Sequence, residues 1–343
     1  MDVVNHYFGV FFLIYQSSGV WGNLISSLVF QQSTTKDVFG NESYSHCGTK
    51  NCPDFTASSN NANISTSVSS VSDNLRYTLM GIYTGCGVLA VIIVATLLDQ
   101  IDISEEQKNE GDGKISVWKS LLATFNQLRD IRQCLLIPLT MFSGFQQGFL
   151  SSDYTKAYVT CTLGIRFVGY VMICFGATNS ICSMVFGKLS QYTGRIALFM
   201  LAALTSASCI IALLLWCPHP SQFAVFFIFP ALWSMSDAIC QTLLSAFYGV
   251  LFDDNKEAAF SNYRVWESLG FLTAFAYSNF LCVYVKLYIV LAIMILGMSL
   301  YLVVELLEYK KSLSRLENTA TKAAKQVHLR VSSITSQSIE LKL

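Results

Sequence analysis

The sequence predicts an all-α integral membrane protein, a bundle of about eight membrane-crossing helices. Three observations carry this. Several apolar runs approach or exceed the ~20 residues that a helix needs to cross a hydrocarbon core. Charged residues make up only 13% of the 343, and mean hydropathy is +0.47, where a soluble domain carries ~25% charge. The runs do not alternate apolar and polar residues, which excludes the short dyad-period strands of a membrane barrel. Net charge is zero, so bulk charge points to no nucleic acid or other charged partner.

Residues 7–30 form the first span. It carries Gln16, Ser17, Ser18, Gly19, Gly22 and Asn23, small and amide residues that either glue helices together or line a cavity. Residues 31–73 are a polar loop with two glycosylation acceptors, Asn41 and Asn63, each followed by Ser two residues on. Cys47 and Cys52 lie in this loop and either close a small disulfide or stand as free thiols; a luminal or extracellular face is oxidising. The second span, 77–98, holds Gly81 and Gly85 at GxxxG spacing, with Gly87 nearby, a close-packing face. Residues 99–114 read as an acidic linker. In 115–132, Val117, Trp118, Leu121, Leu122, Phe125 and Leu128 recur at three- and four-residue steps. That is an amphipathic helix, lying on the membrane surface or packed under the bundle.

The third span is 134–150, and 151–166 reads as a short polar segment outside the membrane. The fourth is 167–186 and the fifth 196–216. A rigid two-proline turn, 217–222, precedes the sixth, 223–250, which contains Pro230 and Asp237. A charged loop, 252–264, leads to the seventh and eighth spans, 266–285 and 287–307. The tail from Glu308 is polar, basic and expected to be flexible.

Cytoplasmic loops collect Lys and Arg. With the acceptor loop outside and sides alternating, six of the 22 Lys and Arg residues fall outside: Lys36, Lys50, Arg76, Lys156, Arg166 and Lys286. The rest fall inside, so acceptors and charges agree on one orientation with both chain ends cytoplasmic. Two spans (1–98) precede the cytoplasmic linker (99–133) and six (134–307) follow it, with a tail at 308–343. Six helices behind such a linker are how the second half of a twelve-helix transporter is built. The first unit is four helices short, so the chain is expected to be the C-terminal part of a longer protein, from an alternative start or splice form.

Between the second and third helix of the six-helix unit lies Gly187-Lys188-Leu189-Ser190-Gln191-Tyr192-Thr193-Gly194-Arg195. It resembles the cytoplasmic loop motif of the major facilitator superfamily, Gly-x-Leu-Ala/Ser-Asp-x-x-Gly-Arg, at the position where that fold carries it. Gln191 stands where the superfamily usually has an Asp that steadies one state of the transport cycle, which weakens the case for ordinary gated transport. Longer stretches, 7–23, 236–252, 257–270 and 276–288, resemble the Unc-ninety-three family, a major-facilitator-like group. The matches span nearly the whole chain except the tail and the acceptor loop. The resemblance implies a major-facilitator-like bundle whose helices correspond to the fifth through twelfth of the family. It also implies a non-enzymatic accessory role, since members are described as partners of a potassium channel or of Toll-like receptors. Placement at the cell surface is implied, or in the endoplasmic reticulum or endosomal membrane.

Asp237 is the most informative single residue, because a carboxylate in an apolar helix is costly. It is a proton- or cation-coupling group, one half of an ion pair, or a wet residue near a helix end. Gln146, Gln147, Asn179 and Asn279 are cavity-lining candidates, or helix glue. Asp253, Asp254, Arg264 and Glu267 read as a solvated network at helix ends, and Glu305 and Glu308 as interfacial. There is no nucleotide loop, no Gly-x-Ser-x-Gly and no His-x-x-x-His, and no Cys/His cluster has metal spacing. No enzyme, metal or cofactor is expected. The competing readings are an accessory protein, a proton- or cation-coupled solute transporter, and an inactive short isoform.

Overall fold

The computed structural model describes residues 2–31, 46–53, 73–97 and 124–340. Asn41, Asn63 and residues 115–123 of the amphipathic segment lie outside them. The described chain contains no strand. Its eight long helices are α1 (Asp2–Gln31), α2 (Asp73–Leu97), α3 (Ile131–Phe149), α4 (Arg166–Thr193), α5 (Arg195–Leu215), α6 (Val225–Leu251), α7 (Lys256–Ser278) and α8 (Val283–Glu340).

Five of these, α2, α4, α5, α6 and α8, contain stretches long and apolar enough to cross a membrane. The other three are diluted by polar residues: Gln16 and Asn23 on α1, Gln133, Gln146 and Gln147 on α3, Arg264 and Glu267 on α7. Several of these side chains, Gln133, Gln146 and Glu267 among them, are buried in the bundle.

Five boundaries differ from the sequence expectation, each for a physical reason. Helix α3 does not stop at Leu150; it continues as a π-helix over Leu150–Thr160 and ends at Leu163, where Gly164 turns out at φ 93°. The polar segment 151–166 is therefore mostly interior, with Asp153, Tyr154 and Tyr158 buried. The wider π-turn, common at functional sites, accompanies Tyr154 Oη donating to Phe226 O at 2.9 Å and Tyr158 Oη to Leu213 O at 3.0 Å. Helix α7 starts at Lys256, inside the expected charged loop, because 256–264 contains neither Gly nor Pro. It ends at Ser278, where an apolar stretch hid a turn from hydropathy. At the start of α3, residues 128–130 turn and Asp130 caps the helix by accepting from Arg132 N at 2.9 Å, so Arg132 belongs to α3. Beyond Leu307, α8 runs on without a break, since nothing from 308 onward is Gly or Pro.

Close approaches through glycine set the packing. Helix α1 lies along α4, where a Cβ on Gly9 would stand 3.0 Å from Ser183 O. Helix α3 is clasped by α7 and α8: a Cβ on Gly144 would collide with Glu267 O, and one on Gly270 with Met141 O. Small residues let membrane helices approach this closely. The GxxxG face of α2 makes no such contact: a Cβ on Gly81, Gly85 or Gly87 would meet nothing within 4 Å among the described residues. Helix α2 meets α1 where Tyr83 Oη donates to Gly22 O at 2.8 Å.

The two ends of the bundle are held by different chemistry. At one end, Cys47 is bonded to Cys161 and Cys52 to Cys282. This corrects the small Cys47–Cys52 loop. Segment 46–53 folds over the bundle end, Gly48 packing on Pro218 and Tyr158 and Asn51 O accepting from Val283 N at 3.1 Å, which carries one thiol to the end of α3 and the other to the α7–α8 turn. At the opposite end the fastenings are ionic. Arg132 bridges Asp130 at 2.6 Å and Glu308 at 3.2 Å, and Arg195 faces Glu305 at 3.5 Å. The hydrogen-bonded Arg132 guanidinium holds the Asp130 carboxyl below the usual carboxylate range.

Candidate functional site

A layer of polar side chains crosses the middle of the bundle, about halfway along the helices that supply it. Asp237 and Gln241 sit one turn apart on α6, and Asn179 and Ser183 one turn apart on α4, so each pair shares a helix face. Asn179 Nδ2 donates to Asp237 Oδ2 at 2.7 Å, and Gln241 Nε2 donates to the same oxygen at 3.0 Å. Ser183 Oγ donates to Asn179 Oδ1 at 3.2 Å, and Gln16 Nε2 of α1 to Gln241 Oε1 at 3.2 Å. Asp237 is fully buried. Its Oδ1 has no hydrogen-bond partner among the described residues, and neither has Oε1 of the buried Gln146. The Gln146 amide is anchored one turn before Asp237, where Nε2 donates to Trp233 O at 3.3 Å.

Beside this cluster, Glu267 of α7 accepts from Arg264 at 2.7 Å and from Ser143 Oγ and Tyr263 Oη at 3.4 Å each. The Arg264 guanidinium also lies over the Tyr263 ring at 5.1 Å. A cavity of about 730 Å³ opens on this flank, lined by Tyr15, Gln147, Arg264, Glu267, Phe271 and Phe275 among others. Gln147 faces both this cavity and the Asp237 carboxylate.

Of the residues singled out in the sequence, Asp237, Gln146, Gln147 and Asn179 come together here. Glu267 joins them as a buried carboxylate, while its partner Arg264 stays exposed at the cavity. Asn279 does not; it caps the end of α7. The motif stretch is not a nine-residue loop. Gly187, Leu189 and Gln191 occupy the last turns of α4, and Gly194 alone, at φ 80°, links α4 to α5, a conformation that favours glycine. Arg195 finds its carboxylate in Glu305 and lies over the Phe247 ring at 4.6 Å. Tyr301 Oη donates to the same Glu305 at 2.6 Å. The motif arginine thus has an acidic partner on α8, although position 191 is a glutamine.

Sequence reasoning missed one buried pair. Lys286 Nζ donates to Asp153 Oδ1 at 2.6 Å and to Ser278 O at 2.7 Å, and both charged side chains are 2% exposed. Ser278 Oγ adds a bond to Asp153 Oδ1 at 2.7 Å. The available signal was the spacing of Tyr154 and Tyr158, one helical turn apart within a segment free of Gly and Pro until Gly164.

A family model described as "Ion channel regulatory protein UNC-93" matches residues 3–302. A Xenopus laevis relative, protein unc-93 homolog A, is 60% identical over 90% of this chain and 66% of its own length. The Homo sapiens homolog A is 56% identical over the same shares. A Caenorhabditis elegans relative, unc-93, named for potassium channel regulation, is 32% identical over 88% of this chain and 43% of its own length. The chain spans about two thirds of the length of the homolog A relatives.

Proposed function

This chain belongs to the UNC-93 family, and on that premise we propose that it is a multi-pass membrane accessory protein that binds and regulates another membrane protein of the ion-channel class. The family description and the name of the Caenorhabditis elegans relative support this reading. The single observation that carries it is the fastening of α1 and segment 46–53 to the six-helix unit, 134–307. A transporter works by rocking one half against the other. Here α1 lies against α4 through close glycine contacts, and segment 46–53 is disulfide-bonded to the ends of α3 and of the α7–α8 turn. Such a body suits a rigid docking partner better than a rocking one. A Toll-like-receptor class of partner fits the same argument through resemblance alone.

Proximity labelling from the C-terminal tail in intact cells should recover one channel or receptor above the bulk membrane proteins. Co-expression should then change the current or surface level of that partner. Unchanged currents and surface levels, together with solute uptake by this chain, would overturn the accessory role in favour of coupled transport. That second reading draws its support from the mid-bundle polar layer, where coupling sites lie.

The disulfide end faces the lumen or exterior, because disulfides persist in oxidising compartments and both acceptors, Asn41 and Asn63, belong to the same loop. The linker 99–133, the tail 308–343 and both termini are then cytoplasmic, in the plasma membrane or in endoplasmic reticulum or endosomal membrane on the way to it. Glycosidase treatment should increase gel mobility, and Asn41→Gln with Asn63→Gln should abolish the shift. A double variant that still shifts would place the glycan elsewhere, and a wild type that never shifts would remove the glycan support for this orientation.

A further inference from the structure

We propose that the Asp237 cluster is a binding site for a small monovalent cation of the sodium class, reached from the α1–α3–α7 cavity past Gln147. Other carboxylates of the bundle have basic partners. Asp153 has Lys286, Glu267 has Arg264, Glu305 has Arg195 and Glu308 has Arg132. Asp237, fully buried at mid-bundle, is held by two amide donors on one oxygen and has no ion-pair partner among the described residues. An ionised carboxylate in such a place is costly unless a positive charge meets it.

The surroundings fit a hard, singly charged ion. Asp237 Oδ1 and Gln146 Oε1 are buried oxygens with no hydrogen-bond partner, on helices in contact at Trp233. Turning the Asn179 or Gln147 amide over would present a carbonyl oxygen to the carboxylate side in place of an NH2. One carboxylate among neutral oxygens balances a single positive charge. No group of three His, Cys, Asp or Glu residues among the described residues is placed to hold a metal ion, which sets the site apart from transition-metal and divalent chemistry. Access runs through the cavity, whose lining includes Glu267 and the half-buried Gln147, the latter beside the Asp237 carboxylate. The site is independent of whether the protein regulates a partner or moves a solute.

The test uses the full chain purified in detergent. Thermal unfolding is followed in NaCl, KCl and choline chloride at equal ionic strength and fixed pH. Sodium should raise the midpoint saturably by several degrees over choline, because a ligand bound only by the folded state stabilises it. Asp237→Asn, which keeps the size of the side chain, should abolish the difference, and Gln146→Leu should weaken it. Equal midpoints in all three salts, or a sodium effect retained by Asp237→Asn, would overturn the site. A midpoint that follows pH and ignores sodium also overturns it, in favour of a protonated carboxyl. Should Asp237→Asn fail to fold, equilibrium binding of radioactive sodium to the wild type decides: saturable binding displaced by unlabelled sodium supports the site, and none overturns it. Loss or survival of the partner's current response tests the accessory role separately.

Discussion

Lys286→Met should lower the thermal unfolding midpoint of the purified protein by roughly 5 °C or more, the shift that a loss of ~3–5 kcal/mol produces in a chain of this size. Lys286 and Asp153 are each 2% exposed, and the lysine also donates to Ser278 O across the α7–α8 turn. Removing the cation leaves Asp153 buried with hydroxyl partners alone, Ser278 at 2.7 Å and Ser152 at 3.3 Å. Methionine preserves the volume of the stem, so the loss measures charge rather than a cavity. The second variant that makes this decisive is Lys286→Met with Asp153→Leu. Replacing both partners of a buried pair by apolar groups is often neutral, so the double variant should recover most of the midpoint. If the double variant melts as low as the single one, packing and not pairing was lost. A single variant within about 1 °C of wild type would show that the pair contributes nothing.

Breaking the two disulfides should have an effect of similar size and should expose specific thiols. The bonds span sequence separations of 114 and 230 residues, and a native cross-link over a long loop contributes ~2–5 kcal/mol. The two are not additive. Once Cys47–Cys161 has closed, Cys52–Cys282 closes a shorter path through 161–282, so the second bond to form constrains the unfolded chain less. In Cys47→Ser, a maleimide applied after denaturation without reductant should label Cys161 and leave Cys282 protected. In Cys52→Ser the pattern should reverse. Labelling of Cys52 in Cys47→Ser, with Cys161 protected, would restore the local Cys47–Cys52 loop and remove the main support for a body that does not rock.

These two sites mark where sequence reasoning stops. Hydropathy found the bundle because bilayer thickness fixes helix length, and that length survives any detail of packing. It misplaced the α7–α8 turn because Phe280, Leu281, Val283 and Val285 keep the apolar run continuous. The turn that follows carries Cys282, cross-linked to Cys52 more than two hundred residues away. It misread 151–166 for the opposite reason. Polar residues that would be loop in water are interior here, with tyrosine hydroxyls bonded to backbone carbonyls of neighbouring helices.

Asp237 was legible as a costly residue from its apolar surroundings alone. Its consequence was not, because the three readings of an intramembrane carboxylate differ only in what lies opposite it. The same holds for Arg195: residue 191 on its own helix end suggested a missing charge, and the tertiary fold supplies Glu305 from α8.

The sequence by itself determined the class of protein, the number and order of long helices to within their ends, and the family. The first two rest on local composition and period, and the family on matching stretches of sequence, all of which the chain carries wherever it folds. Only the tertiary structure decided which carboxylates are paired, which cysteines are joined, and which polar helices face inward. Those outcomes depend on atoms brought within a few ångströms from distant parts of the chain, and nothing in the spacing of residues along it sets those distances.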